Sequence, residues 1–204
     1  YYGMNGILAL YLYFSVTDGG MGMEQGTAVG IVGAYGGAVF LATILGAWIA
    51  DRLAGAEKVL FYSAIIIMVG HICLALIPGF GGVAAGLILV ALGSGGLKAN
   101  ASALVGELYE EKDPRRDAGF TIFYMGVNIG ALFGPLITGL LQSKVGFHYG
   151  FGAAAVGMAL GLIIYLTGRK NLPPESRIAV NPLPKNKLYL FIVAIVVVVL
   201  LAVI

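Results

Sequence analysis

The chain has 204 residues, of which 59% are hydrophobic and 11% charged, whereas about a quarter of the residues of a soluble domain are charged. Its net charge of +2 and its scattered basic residues do not form the basic surface that nucleic-acid-binding proteins need, which excludes a nucleic-acid partner. The single cysteine, Cys73, supports neither an intramolecular disulfide nor a metal site. The composition therefore predicts a protein embedded in a lipid bilayer.

Long apolar segments follow one another along the chain. A helix needs about 20 apolar residues to cross the hydrocarbon layer of roughly 30 Å. Lys98 is the only Lys, Arg, Asp or Glu within the five segments that reach about this length, which are residues 27–50, 59–77, 78–106, 118–143 and 145–168. Residues 1–17 are uncharged but short, and we expect a first helix that is cut off at its start.

This pattern predicts an all-α membrane protein with a six-helix bundle over residues 1–168. A linker over residues 169–187 follows, and residues 188–204 form the start of a seventh hydrophobic helix. Loops rich in Lys and Arg stay in the cytoplasm. A cytoplasmic N-terminus places ten of the twelve basic residues on the inner side, with Lys144 outside and Lys98 inside a span. We therefore predict a cytoplasmic N-terminus and a cytoplasmic linker.

Small residues recur every four positions in two of the segments, where they predict close contacts between helix backbones. They are Gly26, Gly30, Ala34, Ala38, Ala42, Gly46 and Ala50 in the segment at about 27–50, and Gly126, Gly130 and Gly134 in the segment 118–143. Such a stripe indicates packing and says nothing about substrate. Three further glycines, at positions 93, 95 and 96, weaken the fourth helix beside Lys98 and would permit bending there.

Lys98 is the most informative residue, because a charge near the centre of a membrane helix costs roughly 2.5–3.5 kcal/mol on insertion scales. It lies about 13 Å from Glu107 along a helix. One interpretation is that the side chain extends to the inner membrane surface. The other is that it faces a wet central cavity and pairs with a carboxylate of the substrate or of sequence outside this chain. The second interpretation makes Lys98 a candidate for both substrate binding and proton coupling.

Two other polar residues lie at mid-membrane depth. Asn128 is about 16 Å from the inner end of its helix, at a depth similar to that of Lys98. Its amide could bind substrate, or it could form an interhelical hydrogen bond worth about 0.6 kcal/mol. Tyr35 is a bulky residue within the small-residue stripe of the segment 27–50, so it could project into a cavity or pack in the core.

Signatures of enzymes are absent from the sequence. It contains no nucleophile elbow, phosphate-binding loop, zinc-binding pair or carboxylate pair at catalytic depth. His71 and His148 are each single and are interpreted as structural. We therefore expect no enzymatic activity, cofactor or metal, and the chemistry that remains is binding and proton exchange.

Four motifs carry a resemblance to a known family. Residues 46–55 (GAWIADRLAG) are similar to a cytoplasmic signature of the major facilitator superfamily. Residues 1–4 (YYGM), 95–100 (GGLKAN) and 113–130 (DPRRDAGFTIFYMGVNIG) resemble motifs on helices one, four and five of the proton-coupled oligopeptide transporters. The likeness extends to the linker at residues 181–184, so the chain resembles the N-terminal half of such a transporter.

The resemblance implies proton-driven symport of di- and tripeptides by alternating access, with a substrate site between this half and a missing C-terminal half. Lys98 would pair with glutamates upstream of Tyr1 and hold the peptide carboxylate, while Asn128 would lie near the amino end. Tyr1, Tyr2 and Tyr35 would line the cavity. The location would be the plasma membrane, that is, the bacterial inner membrane.

Two alternatives remain open. A facilitator of the same fold could carry another small solute, such as nitrate or an amino acid. Alternatively, the chain could be a membrane scaffold without transport activity, in which Lys98 reaches only the membrane surface.

Overall fold

The computed structural model describes residues 2–184, which contain six α-helices and no strand. The helices are α1 Tyr2–Tyr13, α2 Gln25–Ile49, α3 Ala56–Leu76, α4 Gly79–Glu107, α5 Arg116–Lys144 and α6 Phe147–Gly168. Within these residues, every helix except α1 is long and apolar enough to cross a membrane. The five later helices begin and end within three residues of the predicted segments, and α1 ends four residues earlier than predicted.

Glycines in left-handed backbone conformations mark three of the turns between helices. Gly55 has φ +89°, Gly79 has φ +78° and Gly146 has φ +119°, a region that residues with a Cβ rarely adopt. The α2 helix passes through a π-helical turn, Ala50–Ala54, before it reaches Gly55. The tight connections at Gly79 and Gly146 make α3 and α4, and α5 and α6, antiparallel neighbours, whereas α2 packs mainly on α4.

The α4 helix is the centre of the packing, because it contacts both α2 and α3 extensively. A second group forms where α1 packs against α5 and α6, and α3 joins the two groups through its contact with α6. The apolar core contains residues of α1, α2, α3, α4 and α6. Its members Leu8, Leu12, Ile67, Phe147 and Phe151 are all at most 2% exposed.

The segment after α6 folds back on the bundle. It forms two short 3₁₀ turns, Arg169–Asn171 and Pro174–Arg177. Further along, the backbone N–H of Asn181 donates to the carbonyl of Asp51, and that of Leu183 to the carbonyl of Arg52, each at 2.9 Å. Three predicted features lie outside the described residues and stay predictions. They are Tyr1, the end of the linker at 185–187 and the seventh segment at 188–204.

Candidate functional site

A cavity of about 750 Å³ opens between α1, α4, α5 and α6, with one side chain from α3. Most of its wall is apolar or glycine. The lining residues are Tyr2, Gly3, Ile67, Ser94, Leu97, Lys98, Ala101, Ser102, Phe123, Tyr124, Gly126, Val127, Gly130, Gly134, Ile137, Thr138, Ala153, Ala154, Gly157 and Met158. Lys98 is the one Lys, Arg, Asp or Glu among them.

Lys98 lies next to the closest contact between α4 and α2. A Cβ on Gly95 would lie 2.2 Å from the carbonyl carbon of Ala42, and one on Gly46 would lie 2.5 Å from Cα of Gly96. These glycines let α2 and α4 touch backbone to backbone. Lys98, three residues after Gly95, lies beside this contact and lines the cavity together with Ser94 and Ala101 of the same helix.

Asn100 reinforces this contact. Its side chain is 3% exposed, and its amide donates to the carbonyl of Gly96 at 2.8 Å and to that of Gly46 in α2 at 3.4 Å. In the sequence, Asn100 stands out only as part of the motif at residues 95–100. The structure assigns it the role of joining α2 to α4, two residues after the lysine.

Two of the three glycines in the α5 stripe leave open space and do not contact another helix. A Cβ on Gly126 or Gly130 would have no described atom within 4 Å, and both residues line the cavity. Only Gly134 approaches another helix, where a Cβ would lie 3.2 Å from the backbone nitrogen of Gly3. The predicted backbone contact is thus confirmed at one end of this stripe and not at the other two glycines.

A hydrogen bond holds α1 against α5 at the edge of the cavity. The hydroxyl of Thr138 donates to the carbonyl of Gly3 at 2.8 Å, and the residue is 3% exposed. Tyr2 is adjacent to this contact and lines the cavity with 44% of its surface exposed. The structure therefore brings Tyr2 and Lys98 to the same cavity.

The structure does not bring Asn128 or Tyr35 to the cavity. Asn128 lies in a neighbouring depression of about 720 Å³ on the outer surface of α5, and Tyr124 lines both spaces. Tyr35 is 6% exposed and belongs to the apolar core cluster. The sequence predicted only that Asn128 lies at a depth similar to that of Lys98, and depth does not specify which face of the helix a residue occupies.

The geometry can be compared with known proteins. The profile that describes the POT family, PTR2, matches residues 57–203. The chain belongs to the POT family. It is 50% identical over 187 residues to the uncharacterized transporter YclF of Bacillus subtilis, covering 91% of this chain and 38% of that protein. It is 42% identical over 207 residues to a di-/tripeptide transporter of Lactococcus lactis subsp. lactis, covering 100% of this chain and 42% of the relative.

A solved POT structure has the same arrangement of helices. A crystal structure of a POT family transporter in complex with a thioalcohol-conjugated peptide has a TM-score of 0.93 and 43% identity, covering 100% of this chain and 42% of that one. The chain therefore spans about two fifths of the length of the relatives it matches. These findings confirm the family resemblance and the all-α, multi-pass membrane fold that the sequence predicts.

The POT-family chain also contains a buried ionic cluster that sequence analysis missed. Glu57, at the start of α3, is completely buried, and its carboxylate accepts hydrogen bonds from the guanidinium of Arg169. Tyr165 donates to the same carboxylate at 3.2 Å, and Nε of Arg177 lies 3.8 Å from it. The guanidinium of Arg169 also lies over the ring of Phe61, 4.8 Å from the centroid. The cluster connects α3, α6 and the segment that follows.

Proposed function

We propose that the complete protein is a proton-coupled symporter of di- and tripeptides and that this chain is its N-terminal half. The observation that carries the proposal is the position of Lys98, a single formal charge on the wall of an otherwise uncharged cavity among the described residues. The name of the Lactococcus relative, a di-/tripeptide transporter, supports the substrate class.

The cavity suits a small zwitterion. Its volume of about 750 Å³ lies within the range of roughly 300–1,000 Å³ that is typical of ligand sites. An ammonium group in such a low-dielectric space attracts an anion strongly. Lys98 would therefore bind the substrate carboxylate, and the aromatic residues Tyr2, Phe123 and Tyr124 would contact the side chains and backbone of the peptide.

Proton coupling would follow from a change of partner. In this proposal, Lys98 pairs with an acidic residue beyond this chain when the site is empty and with the peptide carboxylate when it is filled, so the acidic residue then takes up a proton. Tyr1 would extend the wall beside Tyr2, and Asn128 would contact the amino end of the substrate once the second half covers α5. Tyr35 stays a prediction as a substrate contact, since its side chain lies in the core.

The distribution of Lys and Arg supports an inner-membrane protein with a cytoplasmic N-terminus. Alternating access would move this bundle as one body against the second half, around a substrate site at mid-membrane. The chain alone would lack half of the site, so transport requires the complete protein.

Uptake by the full-length transporter in proteoliposomes tests the proposal. An inward proton gradient should drive accumulation of labelled dialanine, and Lys98→Ala should reduce that accumulation at least about tenfold. Lys144→Ala, which removes an exposed lysine from the far end of α5, serves as the control and should leave uptake unchanged. Full uptake by the Lys98→Ala protein would remove Lys98 from the mechanism, and no uptake of any peptide by the wild type would refute the peptide assignment.

A further inference from the structure

Ser94 lies on the cavity wall, one helical turn before Lys98 in α4. The residue is only 2% exposed, and its Oγ has no hydrogen-bond partner within residues 2–184. A buried hydroxyl without a partner is unfavourable, because it has lost its hydrogen bonds to water and forms none with the protein. The site therefore has a donor that is available to a ligand.

The hydroxyls of Thr43, Thr121 and Thr138 on other membrane helices have partners within the protein. Those of Thr43 and Thr121 donate to the carbonyl four residues earlier, each at 2.9 Å, which is the usual solution for a hydroxyl within a helix. Thr138, on the opposite wall of the cavity, donates across to Gly3 at 2.8 Å. Ser94 has the same option of bonding to its own helix, but it forms no such bond.

We propose that Ser94 is a further substrate-binding residue, whose hydroxyl donates a hydrogen bond to the carboxylate that Lys98 binds. This inference rests on the proposed function. Side chains four positions apart on a helix have their Cβ atoms about 5–6 Å apart, so one carboxylate group can contact both. One oxygen accepts from the ammonium of Lys98 and the other from Oγ of Ser94.

The second donor gives the site a selectivity that Lys98 alone lacks. An ammonium on a flexible stem acts as a point charge and does not fix the orientation of an anion, whereas the short side chain of Ser94 holds its hydroxyl at one place on the wall. A free carboxylate accepts strong, charge-assisted bonds from both groups. A terminal amide has no charge and only one acceptor oxygen. Ser94 therefore favours peptides with a free C-terminus over their amides.

The test compares dialanine with dialanine amide as substrates of the full-length transporter in proteoliposomes. Ser94→Ala should raise the KM for dialanine about tenfold, equivalent to about 1.4 kcal/mol. It should leave the KM for the amide within about twofold, so that the preference for the free acid falls. Ser94→Thr keeps the hydroxyl and should restore most of that preference.

Ser63→Ala is the matched control. Ser63, on α3, is also a buried serine, 7% exposed, and it packs against Gly96 of α4 without lining the cavity. Both KM values should therefore stay at the wild-type level. Thermal unfolding of each variant in detergent reports whether the fold is intact. Unchanged KM values for Ser94→Ala would overturn the inference, as would an equal rise for acid and amide, because a structural role does not discriminate between them. A wild type that takes up neither peptide would refute the proposed function itself, together with the inference.

Discussion

Arg169, the residue after α6, donates two hydrogen bonds to the carboxylate of Glu57, the second residue of α3. The two residues are 112 positions apart in the chain, and the carboxylate is completely buried, while the side chain of Arg169 is 33% exposed. The pair therefore fixes the end of one membrane helix to the beginning of another. Arg177 and Tyr165 add further contacts to the same carboxylate.

Replacing either partner of this pair should destabilise the protein, but not equally. Arg169→Gln leaves a buried carboxylate without its main partner, a change that typically costs about 3–5 kcal/mol. Glu57→Gln leaves a guanidinium that water can reach, so its cost should be lower, about 2 kcal/mol. We expect both variants of the full-length protein to unfold at lower temperatures in detergent, with Arg169→Gln the less stable of the two.

The ion pair between Asp113 and the exposed Arg115 is the matched control. The guanidinium of Arg115 lies 2.8 Å from the carboxylate and lowers the pKa of Asp113 through side-chain and backbone hydrogen bonds. Because the side chain of Arg115 is 79% exposed and water screens the pair, Asp113→Asn should not change the unfolding temperature measurably. An equal loss in Asp113→Asn and Arg169→Gln would contradict the special role assigned to the buried cluster.

The sequence predicted the helices well, because a membrane span requires a long run of apolar residues and few charges interrupt such runs. It also identified Lys98, since a charge in such a run is conspicuous. Glu57 was not identified, because its position beside a loop suggests hydration and its partners come from residues far away in the chain. The separate positions of Asn128 and Lys98 depend on helix rotation, which hydropathy does not encode when a helix is apolar on all sides.

The contact between α2 and α4 makes Gly46 intolerant of a side chain. A Cβ at this position would lie 2.5 Å from Cα of Gly96, and backbone atoms cannot move aside as flexible side chains do. Overpacking of this kind costs about 1–3 kcal/mol, so Gly46→Ala should lower the unfolding temperature. Gly161→Ala in α6 provides the control, because no described atom lies within 4 Å of its Cβ position. A neutral Gly46→Ala variant would contradict the backbone contact.

The hydrogen bond from Thr138 to Gly3 should contribute modestly to stability. Thr138→Val keeps the shape of the side chain and removes the donor, and interhelical hydrogen bonds in membranes are worth about 0.6 kcal/mol on average and up to about 1.7. We expect a small decrease in unfolding temperature for this variant. Thr167→Val, which removes an exposed hydroxyl that bonds within its own helix, should have no measurable effect, and an equal decrease in both would argue against the α1–α5 contact.

Cysteine labelling should reveal the orientation of the bundle in the membrane. The loop that carries Lys112 and the end of α5 that carries Lys144 lie at opposite ends of that helix, and both lysines are exposed. If the N-terminus is cytoplasmic, Lys144→Cys in a cysteine-free full-length protein should react with a membrane-impermeant maleimide added to intact cells. Lys112→Cys should react only after the membrane is permeabilised, because the positive-inside rule places its loop in the cytoplasm. The reverse pattern would invert the topology proposed for every helix, since the six helices alternate in direction.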